Sequence, residues 1–294
     1  MKLRHLLRSY EQGEREFTGI ELKSADLTRI MLIGVNLTEA NLMGTNLSRA
    51  FLTKSKLSRA CLNWANLSFA KMSQAQLTDA DLTKASLSGA FLVKSTLTRA
   101  LMSGADLSYA NLRASDLEGA NLCGANLFRV NLREANLKSV NLNWANLQEA
   151  RLSGANLMDV SLHHANFNSA FLKEVNFSNA NLENANLQEA RLSGSNLAGA
   201  NLTGANLEGA NLRSVNLRGA NLTGVNLEKA NLEGADLTDA IFVHTSFLDE
   251  QISHAVHCLT KAVPARDSNS TSQVQVALSS YMTSFSHLQT GFAT

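Results

Sequence analysis

Residues 200–237 read ANLTGANLEGANLRSVNLRGANLTGVNLEKANLEGADL, and a leucine returns at every fifth position. The phase holds from Phe17 to Phe247 without insertion or deletion. Only Phe17, Met72, Met102, Phe167, Phe177, Phe242 and Phe247 replace leucine at the centre of a unit. Two residues before each centre sits a small residue, usually Ala, with Val35, Thr45 and Ser55 among the exceptions. Five residues advance an α-helix by about 500°, so the leucines would spiral around it and define no face. On a straight strand an odd step would send successive leucines to opposite faces. Within one unit, however, Ala205 and Leu207 are two apart and flank Asn206. A short strand can therefore turn Ala and Leu inward and Asn outward. If the chain turns a corner in every unit, it winds into a coil, and stacked coils pair as parallel strands about 4.8 Å apart.

Longer internal matches suggest the number of units per coil. GANLTGANLEGANL at 199–212 aligns with GANLTGVNLEKANL at 219–232, an offset of 20. NLQEARLSG recurs at 146–154 and 186–194, and FLTKS at 51–55 is echoed by FLVKS at 91–95, both at an offset of 40. Multiples of 20 suggest four units per coil. The A-[ND]-L-x-x pattern of ANLTG and ADLSY resembles the pentapeptide-repeat family over about four-fifths of the chain. The resemblance implies an all-β fold, a right-handed quadrilateral parallel β-helix with four pentapeptides per coil. Residues 17–247 would then form roughly twelve coils, about 55 Å long. The opening LRHLLRSYEQGEREFTGIEL is similar to openings among cyanobacterial members, some of which act in regulation and cell differentiation.

Open strand edges invite aggregation, so short helical caps are expected at both ends. Leu3, Leu6, Leu7 and Tyr10 recur at helical spacing ahead of Gly13, which makes residues 1–16 the N-terminal cap. Arg4, His5 and Arg8 interrupt any apolar run, so this segment does not read as a signal peptide. Ile252, Val256, Leu259 and Val263 share a face between Asp249 and Pro264, and residues 248–264 are read as the second cap. Residues 265–294 read as a polar linker and tail that could be disordered, folded on the rod or partner-binding. They are expected to be dispensable for folding.

The pattern offers little chemistry. Leu and Ala fill the interior, so there is no room for an active site, and no enzyme is expected. The glycines, such as Gly204 and Gly209, fall at corners where tight turns explain them. His163 and His164 read as two exposed side chains. Glu250, His254, His257 and Cys258 share a helical face but match no standard zinc spacing, so neither metal nor cofactor is expected. Cys61, Cys123 and Cys258 show no disulfide framework and suggest a reducing compartment. No segment is long and apolar enough to span a membrane, and a cytoplasmic home is expected.

Function is therefore expected to reside on the surface. The first expectation is a rigid protein-interaction module with a regulatory partner of unidentified kind. The alternative is a DNA mimic that binds a type II topoisomerase, a role seen in some members of the resembled family. Mimicry wants a strongly negative surface, but the net charge is +1, with 26 Lys and Arg against 25 Asp and Glu. Residues 1–100 carry 14 basic and 8 acidic residues, so the N-terminal half is basic. The second alternative is weak nucleic-acid binding by that half, ranked lower because no aromatic platform or groove is evident in the sequence. Trp64 and Trp144 fall outside the leucine core. The outward position before each centre is normally Asn or Asp, yet one column reads Met31, Phe51, Lys71, Phe91 and only then Asn111. With Ile33, Lys54, Val93 and Lys94 after the centres, Met31, Phe51 and Phe91 make the candidate protein-binding face.

Overall fold

A computed structural model describes residues 2–246. The expected C-terminal cap at 248–264 and the tail at 265–294 lie outside the described residues. One helix, α1 (Lys2–Glu11), precedes a continuous series of short parallel bridges running from Glu16↔Asn36 to Asn226↔Ser246. Every bridge joins residues 20 apart, so each coil takes four five-residue units. The chain is a β-helix solenoid.

Hydrogen bonding explains why the unit is five residues long. In residues 202–206, Leu202 N–H donates to Asn221 O and Gly204 N–H to Thr223 O in the following coil, both at 2.8 Å. Asn206 N–H donates to Ala185 O in the preceding coil at 2.9 Å. Ala205 N–H closes the corner onto Leu202 O at 2.9 Å. The remaining donor, Thr203 N–H, meets the side-chain Oδ1 of Asn201 at 3.1 Å. All five backbone donors are thus satisfied, as a buried or stacked backbone demands. The last bond is an Asx turn, and it gives the Asn or Asp of the pattern a structural task. It recurs at Asp26 and Thr28, Asn36 and Thr38, and Asn221 and Thr223. Asn side chains also ladder from coil to coil, as in Asn131 Nδ2 to Asn111 Oδ1 at 3.2 Å.

The corner requires left-handed backbone. The second turn residue of every unit from Gly19 to His244 has positive φ, whether or not it is glycine. Glycine adopts this conformation freely, and other residues do so at a cost. Inside, the leucine column and, from Val35 on, the small-residue column are buried along the described coils, with Ala25 partly buried near the N-terminal end. Phe167 and Phe177, ten residues apart and thus on opposite sides of one coil, meet edge to face at 6.1 Å. Thr45, Ser95 and Ser115 replace the small inward residue and each returns its hydroxyl to a leucine carbonyl three residues back, at 2.6–2.7 Å. Ser55 occupies the same kind of position, fully buried, and its hydroxyl has no partner.

Helix α1 packs against the first coil. Leu6 is fully buried in the common core, with Leu3 and Tyr10 partly buried beside it. Tyr10 Oη donates to Ile33 O at 3.1 Å, and Arg15 stands over the Tyr10 ring at 3.9 Å. Gly13 ends the helix with φ +98°. Its N–H donates to Tyr10 O, and Glu14 N–H donates to Ser9 O at 3.0 Å, the bonding of a Schellman stop.

Candidate functional site

The rod interior is filled mainly by leucine and alanine, and a recess lies on its outer surface. It is a shallow groove of about 490 Å³ lined by Arg29, Arg49, Phe51, Phe69, Lys71 and Phe91. Two columns build it. Met31, Phe51, Lys71 and Phe91 are bridged in series at the outward position of one side. Arg29, Arg49 and Phe69 are the left-handed turn residues of the adjoining side, each at φ 58°. The corner between the two sides brings the columns together.

Phe51 is 38% exposed, Phe69 51% and Phe91 39%, with Met31 at 59% farther along the column. Arg49 stands over the Phe69 ring at 5.8 Å and Lys71 over the Phe91 ring at 4.2 Å, both cation–π contacts. The Phe69 ring leans onto Gly89 of the next coil. A Cβ at Gly89 would lie 2.6 Å from the ring, so only glycine leaves that space open. Arg29, Arg49 and Lys71 pair with no carboxylate among the described residues. On the corner two sides away, by contrast, Arg59 binds Glu39 at 2.7 Å and Arg99 binds Asp79 at 2.8 Å. The Arg99 hydrogen bond holds the Asp79 carboxyl below its ordinary value.

The column sacrifices the Asx turns of its units. Where Asn would accept the N–H two residues on, the N–H groups of Ile33, Thr53, Ser73 and Val93 have no side-chain partner among the described residues. Phe69, like Trp64, Tyr109 and Trp144, carries a large side chain at a left-handed corner.

The candidate residues named from sequence separate on this surface. Phe51 and Phe91 line the groove, and Met31 continues their column beside it. Ile33, Lys54 and Lys94 are exposed and Val93 is half-buried, all four after the centres and not among the groove-lining residues. Arg29 and Phe69 were not singled out from the sequence, and Arg49 was read only as part of the basic N-terminal half. No aromatic platform was evident in that half either, whereas the corner assembles three phenylalanines among three cations. The signal was present as a second 20-residue column, Arg29, Arg49, Phe69 and Gly89, two positions upstream of the first.

A second cluster lies on another corner. Trp144 stacks on His164 at 4.0 Å, His163 meets His164 edge-on at 4.1 Å, and Glu183 approaches His163 Nδ1 at 3.7 Å. Among the described residues no three His, Cys, Asp or Glu side chains group as metal ligands. Glu250, His254, His257 and Cys258 lie outside the described residues. Cys61 and Cys123 are free thiols, and no described helix is long and apolar enough to cross a membrane.

The profile of pentapeptide repeats matches residues 20–59, 60–99, 105–143, 141–179, 176–213 and 216–247. The chain belongs to the pentapeptide repeat family. Among solved structures it is similar to HetL, a pentapeptide repeat protein involved in heterocyst differentiation regulation from the cyanobacterium Nostoc sp. strain PCC 7120. Identity is 38%, over 82% of this chain and 97% of that one, with a TM-score of 0.41. A pentapeptide repeat protein, Rfr23, from the cyanobacterium Cyanothece 51142 is 31% identical over 47% of this chain and 64% of its own, at a TM-score of 0.21. A trypsin-treated form of QnrB1, a plasmid-mediated fluoroquinolone resistance protein, is 18% identical over 85% of this chain and all of its own, at a TM-score of 0.31. No curated protein matches the chain.

Proposed function

We propose that the protein is a non-enzymatic docking rod that binds a regulatory protein partner in the cytosol through one corner of its N-terminal coils. The rod is a right-handed quadrilateral β-helix whose N-terminal end is closed by α1. The groove formed by Phe51, Phe69 and Phe91 among Arg29, Arg49 and Lys71 carries this reading. Exposed aromatic residues among charges are a common mark of protein contacts, and aromatic and arginine side chains dominate interface energetics. Local stability argues the same way, because Met31, Phe51, Lys71 and Phe91 give up the Asx turns of their units. Met31 and Ile33 extend the surface toward α1, and Lys54, Val93 and Lys94 flank it. The regulatory role draws on the 38% identity to HetL. Mimicry of DNA has less support, because the net charge is +1 and the groove is basic.

The test is a pull-down from native lysate with the parent chain and with Phe51→Asn/Phe91→Asn. Both substitutions restore the residue that the repeat prefers. A partner held by the parent and lost by the folded double variant is the expected result. Equal capture by both would remove this corner as the interface.

A further inference from the structure

We infer that the corner groove receives a short acidic segment of the partner protein, anchored by an aliphatic or aromatic side chain lying among Phe51, Phe69 and Phe91. The inference rests on the docking reading above and adds the chemistry of what docks. Three cations, Arg29, Arg49 and Lys71, border the groove without carboxylate partners among the described residues, so carboxylates of an incoming chain would complete their pairing. Arginine suits this role because its planar guanidinium binds carboxylates in a bidentate manner. The apolar floor, half-exposed in the free rod, supplies burial for an anchoring side chain.

A single-stranded nucleic acid would meet the same charges, but it also needs bare ring faces on which bases stack. Here Arg49 stands over Phe69 and Lys71 over Phe91, and the Phe69 ring also rests on Gly89. The Phe69 and Phe91 rings are thus engaged along the rod axis. That arrangement favours an apolar side chain inserting beside them over a stack of bases.

The full chain is titrated into four fluorescein-labelled probes, read by fluorescence anisotropy. The first is a twelve-residue peptide alternating Asp or Glu with Leu or Phe. The second replaces its acids with Lys, the third replaces its Leu and Phe with Ser, and the fourth is a twelve-nucleotide oligo-dT. The first peptide is expected to bind at least about tenfold more tightly than each of the others, and more weakly as salt rises. Arg49→Glu/Lys71→Glu is expected to weaken it by at least about tenfold, while Lys138→Glu, far along the rod, leaves it unchanged. The neutral pair Arg29→Gln/Arg49→Gln serves if charge reversal disturbs the circular dichroism spectrum. Absence of saturable binding by the first peptide, equal binding of the second or third, tighter binding of oligo-dT, or insensitivity to these variants each overturns the inference. If the first peptide fails while Phe51→Asn/Phe91→Asn still abolishes partner capture, the docking corner stands and only its ligand chemistry is wrong.

Discussion

Phe51 is where the repeat pattern and the candidate interface conflict, and two substitutions there separate the contributions. Asn in place of Phe51 recreates the Asx turn that Asn201 makes with Thr203, whose N–H donates to Asn201 Oδ1 at 3.1 Å and whose hydroxyl donates at 2.7 Å. Thr53 stands in the equivalent position after Phe51, so its N–H gains an acceptor and its hydroxyl can exchange a long 3.5 Å bond to Lys71 O for the new amide. A hydrogen bond contributes about 0.5–1.5 kcal/mol net, so the turn is worth about 1 kcal/mol at this exposed site. Either substitution removes the phenyl ring, which is 38% exposed, and forfeits about 1–2 kcal/mol of apolar burial. Phe51→Ala therefore loses stability, whereas Phe51→Asn regains most of it. In a thermal melt followed by far-UV circular dichroism, the Asn variant is expected to melt about 2–4 °C above the Ala variant, the shift produced by 1 kcal/mol in a chain of this size. The reverse case, Asn201→Ala, should lower the midpoint by a similar amount. An Asn variant that melts at or below the Ala variant would show that the Asx turn does not explain the Asn of the pattern.

Three further outcomes follow from particular residues. Ser55→Ala removes a fully buried hydroxyl without a partner and restores the usual inward alanine, so the melting midpoint should rise by about 2–4 °C; a fall would mean that the hydroxyl is satisfied. Gly89→Ala combines strain at φ +64° with a Cβ 2.6 Å from the Phe69 ring, and should both lower the midpoint and weaken partner capture. Gly224→Ala, whose Cβ would approach nothing closer than 3.8 Å, should lower the midpoint alone. Asp26 and Asp236 are held below their ordinary values chiefly by the hydroxyls of Thr28 and Thr238, and Asp79 by Arg99. Depressed folded values stabilise the fold above the unfolded value near about 3.9, and this stability is lost as pH falls through the lower folded values. The midpoint should thus hold between about pH 7 and 5 and decline below about 4, less steeply in Asp79→Asn; a flat profile to pH 2 would contradict the assignment.

The solenoid was legible because its core is one-dimensional. Leu202 and Ala205 face inward for the same reason as every other centre and its small partner, so one unit states the rule for all. The offset of 20 between GANLTGANLEGANL and GANLTGVNLEKANL is the spacing of the bridges. The Asx turn was less visible, since the position of Asn206 shows only that it points outward and not that Asn206 Oδ1 accepts the N–H of Glu208 at 3.0 Å. The groove was half visible. Phe51 and Phe91 break a column that normally carries Asn, and a break in a regular pattern is easily seen. Arg29, Arg49 and Phe69 occupy corner positions where the residue type varies along the chain, so their column, two positions upstream of the first, does not stand out against a fixed pattern. Its adjacency to the first column depends on how the corner folds one side onto the next.

Hydroxyl-radical footprinting of the rod with the partner recovered by the parent chain tests the docking corner most directly. Phe51, Phe69 and Phe91 are the reporters, and Trp64 and Trp144, each 61% exposed on a different corner, are internal controls. Oxidation of the three phenylalanines is expected to fall on complex formation while both tryptophans remain as reactive as in the free rod. Protection of Trp64 or Trp144 with the phenylalanines unchanged would place the interface elsewhere and rule out this corner.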